Sequence, residues 1–118
     1  MKESIIKRKS YSFAVRIIEL HKYLISSKQE YIISKQLLKS GTSIGANVRE
    51  AVHAESEKDF VHKLSIAQKE ANETLYWLEL LIETGYLSQN KFQSLYSEGE
   101  EIKKIITSII VTMKAKAQ

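Results

Sequence analysis

Two pairs of residues in this chain have a spacing that metal sites use. Glu50 with His53, and Asp59 with His62, each set a carboxylate three residues from an imidazole, which on a helix puts both on one side. Di-iron helical bundles bind their metal with Glu-x-x-His pairs on two core helices and two further glutamates. Here both pairs flank a single turn, so they fall at the same end of any antiparallel arrangement. Glu50 also lies about 200° around from Val48 at 100° per residue, away from the apolar side. The pairs read as surface polar residues, and neither a metal nor another cofactor is expected. The chain has no cysteine, which removes thiolate zinc sites, cysteine nucleophiles and disulfides together. Serines and histidines are present, but no local motif sets a nucleophile beside a base, so no enzyme activity is expected.

The segment Ser40-Gly41-Thr42-Ser43-Ile44-Gly45-Ala46-Asn47 has the glycine content of a phosphate-cradling loop. It lacks the Gly-Lys-Ser/Thr ending and the preceding strand that such a loop needs. As part of a helix, its two glycines cost about 1 kcal/mol each relative to alanine, and something must offset that. Gly41 and Gly45 share a face, and with Ser40 and Ala46 they make a smooth surface on which another helix backbone can pack closely, within the chain or between chains.

Charge is distributed unevenly around the net +4. Residues 1–40 hold nine Lys/Arg against three Asp/Glu, residues 41–101 five against eleven, and residues 102–118 four against none. If the first and last helices are neighbours, Lys7, Arg8, Lys9, Arg16 and Lys22 can join Lys103, Lys104, Lys114 and Lys116 in one basic face able to hold phosphates without regard to sequence. The same residues read equally as solvated helix faces. No helix-turn-helix signature and no aromatic-rich stacking motif accompanies them. On the third periodic segment, Ile66, Glu70, Glu73, Trp77 and Leu80 form a stripe off the main apolar face. That stripe is either an interface with another chain, where tryptophan is favoured, or the edge of the chain's own core.

The elements that must position these groups are helices. There is no proline and there are four glycines among 118 residues, a length that suits one domain able to bury a core without staples. Four apolar stripes recur at three- and four-residue steps. They run through Phe13, Ile17, Leu20 and Leu24; Leu37, Gly41, Ile44, Val48 and Val52; Phe60, Leu64, Ala67, Ala71, Leu75, Leu78 and Ile82; and Phe92, Leu95, Gly99, Ile102, Ile106, Ile109 and Met113. Ser56 with Asp59 three residues on reads as a capping box, Gly85 as a left-handed helix end, and Ser88 as an N-cap. The stripes predict helices over about 4–26, 30–54, 57–84 and 88–115, each roughly 35 to 42 Å long. Short turns between helices of similar length predict an all-α, up-down-up-down antiparallel four-helix bundle over residues 1–118. The β-branched run from Ile105 to Val111 lacks turn residues at its flanks and keeps the helical period, so it is not read as a strand. No segment is apolar for long enough to span a bilayer, and the start of the chain has no apolar signal core. A cytoplasmic protein is expected.

Three stretches carry a family resemblance. Residues Ser34 to Ala51, with Ser-Gly-Thr-Ser-Ile-Gly-Ala-Asn-Val-Arg-Glu-Ala at their end, resemble the second helix of the 23S ribosomal RNA intervening-sequence proteins. Lys58-Asp59-Phe60 with Lys63 to Ala71, and Glu73 to Leu81 with Gly85-Tyr86-Leu87, continue the match over nearly the whole chain. The resemblance implies four-helix bundles assembled as homopentamers around a central channel, with no firmly assigned role. It also implies similarity to the accessory variability protein of diversity-generating retroelements, a basic pentamer that binds nucleic acid and a reverse transcriptase. The expected function is therefore a non-catalytic homo-oligomeric scaffold, pentameric by the resemblance, that binds RNA or DNA through its basic first and last helices. The alternative is an adaptor that binds another protein, such as a polymerase, without touching nucleic acid.

Overall fold

The computed structural model describes residues 2–117, and these form four helices: α1 Lys2–Ser27, α2 Ile33–Val52, α3 Glu57–Glu83 and α4 Gln89–Ala117. Each packs on its two neighbours in the order α1, α2, α3, α4 and back to α1, and among the described residues the backbones of diagonal helices do not approach each other closely. The result is an antiparallel up-down-up-down bundle, 49 Å long and about 20 Å across. No strand occurs among the described residues, and Ile105 to Val111 lie within α4. No helix among them is long and apolar enough to cross a membrane.

The interior is built from the four stripes. Phe13, Ile17, Leu24, Leu37, Ile44, Leu64, Leu78, Ile102 and Ile106 lose all or nearly all contact with solvent. Two stripes drift at their ends. Val52 turns outward while Ala51 is buried, and Leu81 is buried where Ile82 is half-exposed. This follows from 3.6 residues per turn, which carries a strict three-four repeat slowly around the helix.

The turns obey local chemistry. Ser56, extended at φ −151°, accepts a hydrogen bond from the Asp59 amide at 3.0 Å and starts α3. Gly85 ends it with φ +84°. There the Gly85 amide donates to Ile82 and the Tyr86 amide to Leu81, the paired bonds of a Schellman end. Ser88 accepts from the Lys91 amide and starts α4. The first turn differs from expectation, because α2 begins at Ile33 rather than near residue 30. Glu30 is the cause. Its buried carboxylate accepts from the amides of Ile32, Ile33 and Ser34 at 3.3, 3.1 and 2.7 Å, satisfying donors that a helix start leaves open.

Candidate nucleic-acid interface

The two glycines of α2 set how closely α1 approaches it. A Cβ at Gly41 would lie 2.7 Å from Cγ2 of Ile17, and one at Gly45 would lie 3.3 Å from the carbonyl oxygen of Ser10. Close packing here is within the chain, between α1 and α2. It brings Arg49 of α2 to the same surface as Lys7, Arg8, Tyr11 and Ser12 of α1, around an open groove of about 360 Å³. The groove continues along Ala14, Thr42, Gly45 and Ala46, with Glu50 on its rim. Glu50 pairs with Lys63 at 3.4 Å. Lys7, Arg8 and Arg49 make no ion pair among the described residues.

The α1–α4 seam is different. The two helices are neighbours, but α1 meets the acidic half of α4. Lys9 pairs with Glu101 at 3.1 Å, and Arg16 binds the Glu98 carboxylate and donates to Ser94 at 3.0 Å. Lys103 donates to Asn72 of α3 at 2.9 Å. Three of the nine sequence-selected cations are therefore engaged in tying helices together. Lys22, Lys104, Lys114 and Lys116 are exposed, and Lys116 flanks an apolar depression beside Phe60 and Met113 at the α2–α3 turn, the end of the bundle where Lys7 and Arg49 also lie. Sequence reasoning missed Arg49, whose partnership with Lys7 spans two helices, and Tyr11, which is 61% exposed on α1.

The α3 stripe divides. Trp77 is half-buried against the core, its indole N–H buried with no acceptor, and its ring meets Tyr76 edge-on at 5.0 Å. Tyr76, one residue off the stripe, is 52% exposed. Ile66 and Leu80 are half-buried, and Glu73 is exposed. Burial first, and then the neighbouring Glu73 carboxylate, holds the Glu70 carboxyl above its ordinary value. On the α4 side, Tyr96 donates to Glu79 at 2.7 Å. That bond, the largest cause, and burial push the Tyr96 hydroxyl up to about 12.

Among the described residues no three His, Asp or Glu side chains converge as metal ligands. His53 follows the last residue of α2 and is exposed. His21 shares a hydrogen bond with the Ser34 carbonyl at 3.2 Å.

Residues 2–108 match the family model described as 23S rRNA-intervening sequence protein. Among solved structures, the chain is similar to a protein of unknown function from the S23 ribosomal protein family of Bacteroides thetaiotaomicron. The two are 54% identical over 93% of this chain and 98% of that one, with a TM-score of 0.92. No curated protein matches.

Proposed function

We propose, for a chain that belongs to the 23S rRNA-intervening sequence protein family, a non-catalytic role as a cytoplasmic scaffold that assembles with copies of itself, pentameric as the resemblance implies. The observation that carries this reading is a pair of exposed apolar patches on diagonal, oppositely charged helices. Val15 and Ile18 of α1 are 43% and 37% exposed, on a helix with six Lys/Arg against two Asp/Glu. Tyr76, one turn before half-buried Leu80, is exposed on α3, which has three Lys/Arg against six Asp/Glu. Clustered large apolar groups on a surface mark interaction sites. Because α1 and α3 stand at opposite corners, α1 of one copy meets α3 of the next, head to tail, and such contacts close into rings where the rotation allows. Light scattering coupled to size exclusion tests this. A mass several times 13.6 kDa is expected, lowered by Val15→Ser with Ile18→Ser; a monomeric native chain overturns it.

RNA or DNA is the second partner in this reading, held by the sequence-selected cations of α1 and α4 that neither a carboxylate nor the Asn72 amide takes up: Lys7, Arg8, Lys22, Lys104, Lys114 and Lys116. Binding should fall with salt as released counterions dictate, and no binding at low salt would remove this part. One observation favours the adaptor alternative, with a polymerase or reverse transcriptase as the partner that the sequence resemblance implies. Tyr31 and Ile32, in the α1–α2 turn, are 59% and 78% exposed. If they dock a protein partner, Tyr31→Ser with Ile32→Ser leaves the oligomer mass unchanged while abolishing that contact.

A further inference from the structure

We infer that the groove between α1 and α2 is a binding site for single-stranded nucleic acid, with a base stacked on Tyr11 and the flanking phosphates on Lys7, Arg8 and Arg49. This rests on the RNA- or DNA-binding reading above and moves its centre from the α1–α4 seam to the α1–α2 seam.

Four observations converge there. The three cations come from two helices and line one groove. None of them has an ion-pair partner among the described residues, whereas Lys9, Arg16 and Lys63 each have one. Solvated faces keep like charges apart; here they crowd around a shared depression, an arrangement that a polyanion relieves. The rim's carboxylate, Glu50, is turned to Lys63. The groove continues along glycine, alanine and threonine, short side chains that let a sugar-phosphate chain lie close to the helices.

Tyr11 decides the class of ligand. Tyr11 is 61% exposed among cations, on the same face of α1 as Val15 and one turn before it; it lies past the end of the Val15–Ile18 contact proposed with α3, contributes little to the core, and its ring can stack on a base. Stacking of this kind suits unpaired bases, whose faces are free, and tolerates any sequence. A duplex would have to unstack to use it. The planar guanidinium groups of Arg8 and Arg49 match phosphate oxygens two at a time.

The test is fluorescence polarisation on the full chain, with a labelled twelve-nucleotide single-stranded RNA, the DNA of the same sequence, and the corresponding duplex, each over a salt series. The single strands should bind more tightly than the duplex. Three phosphate contacts give a log–log salt slope of about −2 for single strands. Lys7→Gln with Arg49→Gln should weaken binding at least tenfold and flatten that slope. Tyr11→Ala should lose about tenfold while Tyr11→Phe keeps the native affinity. Lys114→Gln with Lys116→Gln, at the same end of the bundle but on α4, which lines no part of the groove, should lose less. RNA or DNA binding alike supports the site, and the tighter of the two assigns the sugar. If the native chain binds no strand at low salt, the broader nucleic-acid reading fails. If it binds but the groove variants bind equally well, or the duplex is preferred, this inference alone is overturned. It is overturned as well if the groove variants lose oligomer mass by light scattering together with binding, since the cations then serve assembly.

Discussion

Gly45 lies against the main chain of Ser10, where an added Cβ would be 3.3 Å from the Ser10 carbonyl oxygen. This contact sets the register of α1 on α2. In an antiparallel pair, Lys7, one turn before Ser10, and Arg49, one turn after Gly45, come to the same level. A helix glycine that looks unfavourable by propensity thereby places two cations across one groove.

Gly45→Val should force α1 away from α2. Overpacking of this kind typically costs about 1–3 kcal/mol, and urea unfolding would show it as a lowered midpoint with an unchanged slope. Affinity for single strands should fall as well, because Lys7 and Arg49 separate. A fully stable variant would mean that the helices have room to spare.

Glu30→Ala should destabilise the chain by about 1–3 kcal/mol, the range for leaving buried donors unmet. Three amides lose their acceptor, while the Ser34 hydroxyl keeps its bond to the Glu30 carbonyl. Glu30→Gln retains one acceptor oxygen and should recover part of the loss. Hydrogen exchange would find the first turn of α2 opened in the alanine variant and no change in α4.

Thr74 and Ser40 form a buried pair between α3 and α2, with 2.9 Å between their hydroxyl oxygens. The Thr74 hydroxyl also lies 2.7 Å from the Glu70 carbonyl, and Ser40 lies 3.4 Å from that of Leu37. Thr74→Val should cost about 1 kcal/mol, the net worth of an ordinary hydrogen bond. Adding Ser40→Ala should cost less than it does alone, since the two changes remove one shared contact. Strict additivity in denaturant unfolding would argue against the pair.

Glu70 is held above the ordinary carboxylate value of 4.5, by burial first and Glu73 second. Its ionised form is therefore disfavoured by folding. That cost is absent below pH 4.5 and grows as the pH rises through the raised folded-state value. Glu70→Gln should stabilise the chain at pH 7, and the gain should shrink to nothing as the pH falls below 4.5. Melting temperatures of the two chains over pH 4 to 8 would show the curves converging at the acid end. A constant difference would assign the effect to something other than charge.

Much of the bundle was legible in residue spacing. Ser56, Gly85 and Ser88 act within three or four residues of themselves, so a local pattern is enough to identify their role. Phe13, Ile17 and Leu24 declare a buried face by period alone. Glu30 was not legible as a cap, because glutamate is not a usual N-cap and acts here from two residues upstream of Ile32. The site was less legible still. Lys9 and Arg16 pair with Glu101 and Glu98, partners 92 and 82 residues away that no local pattern reveals, and Arg49 stands among residues dominated by acids.

The sequence by itself determined four helices, the second and third turns between them, and which stripe of each is apolar. Those properties depend on interactions within one or two turns, and their period is written in neighbouring residues. Only the tertiary structure decided which cations are used up in the α1–α4 seam and which remain open beside Tyr11. The first depends on the register of α1 on α4, where Gly99 faces Phe13, and the second on that of α1 on α2, set by Gly41 on Ile17 and Gly45 on Ser10; a shift of one turn at either seam would change every partner across it.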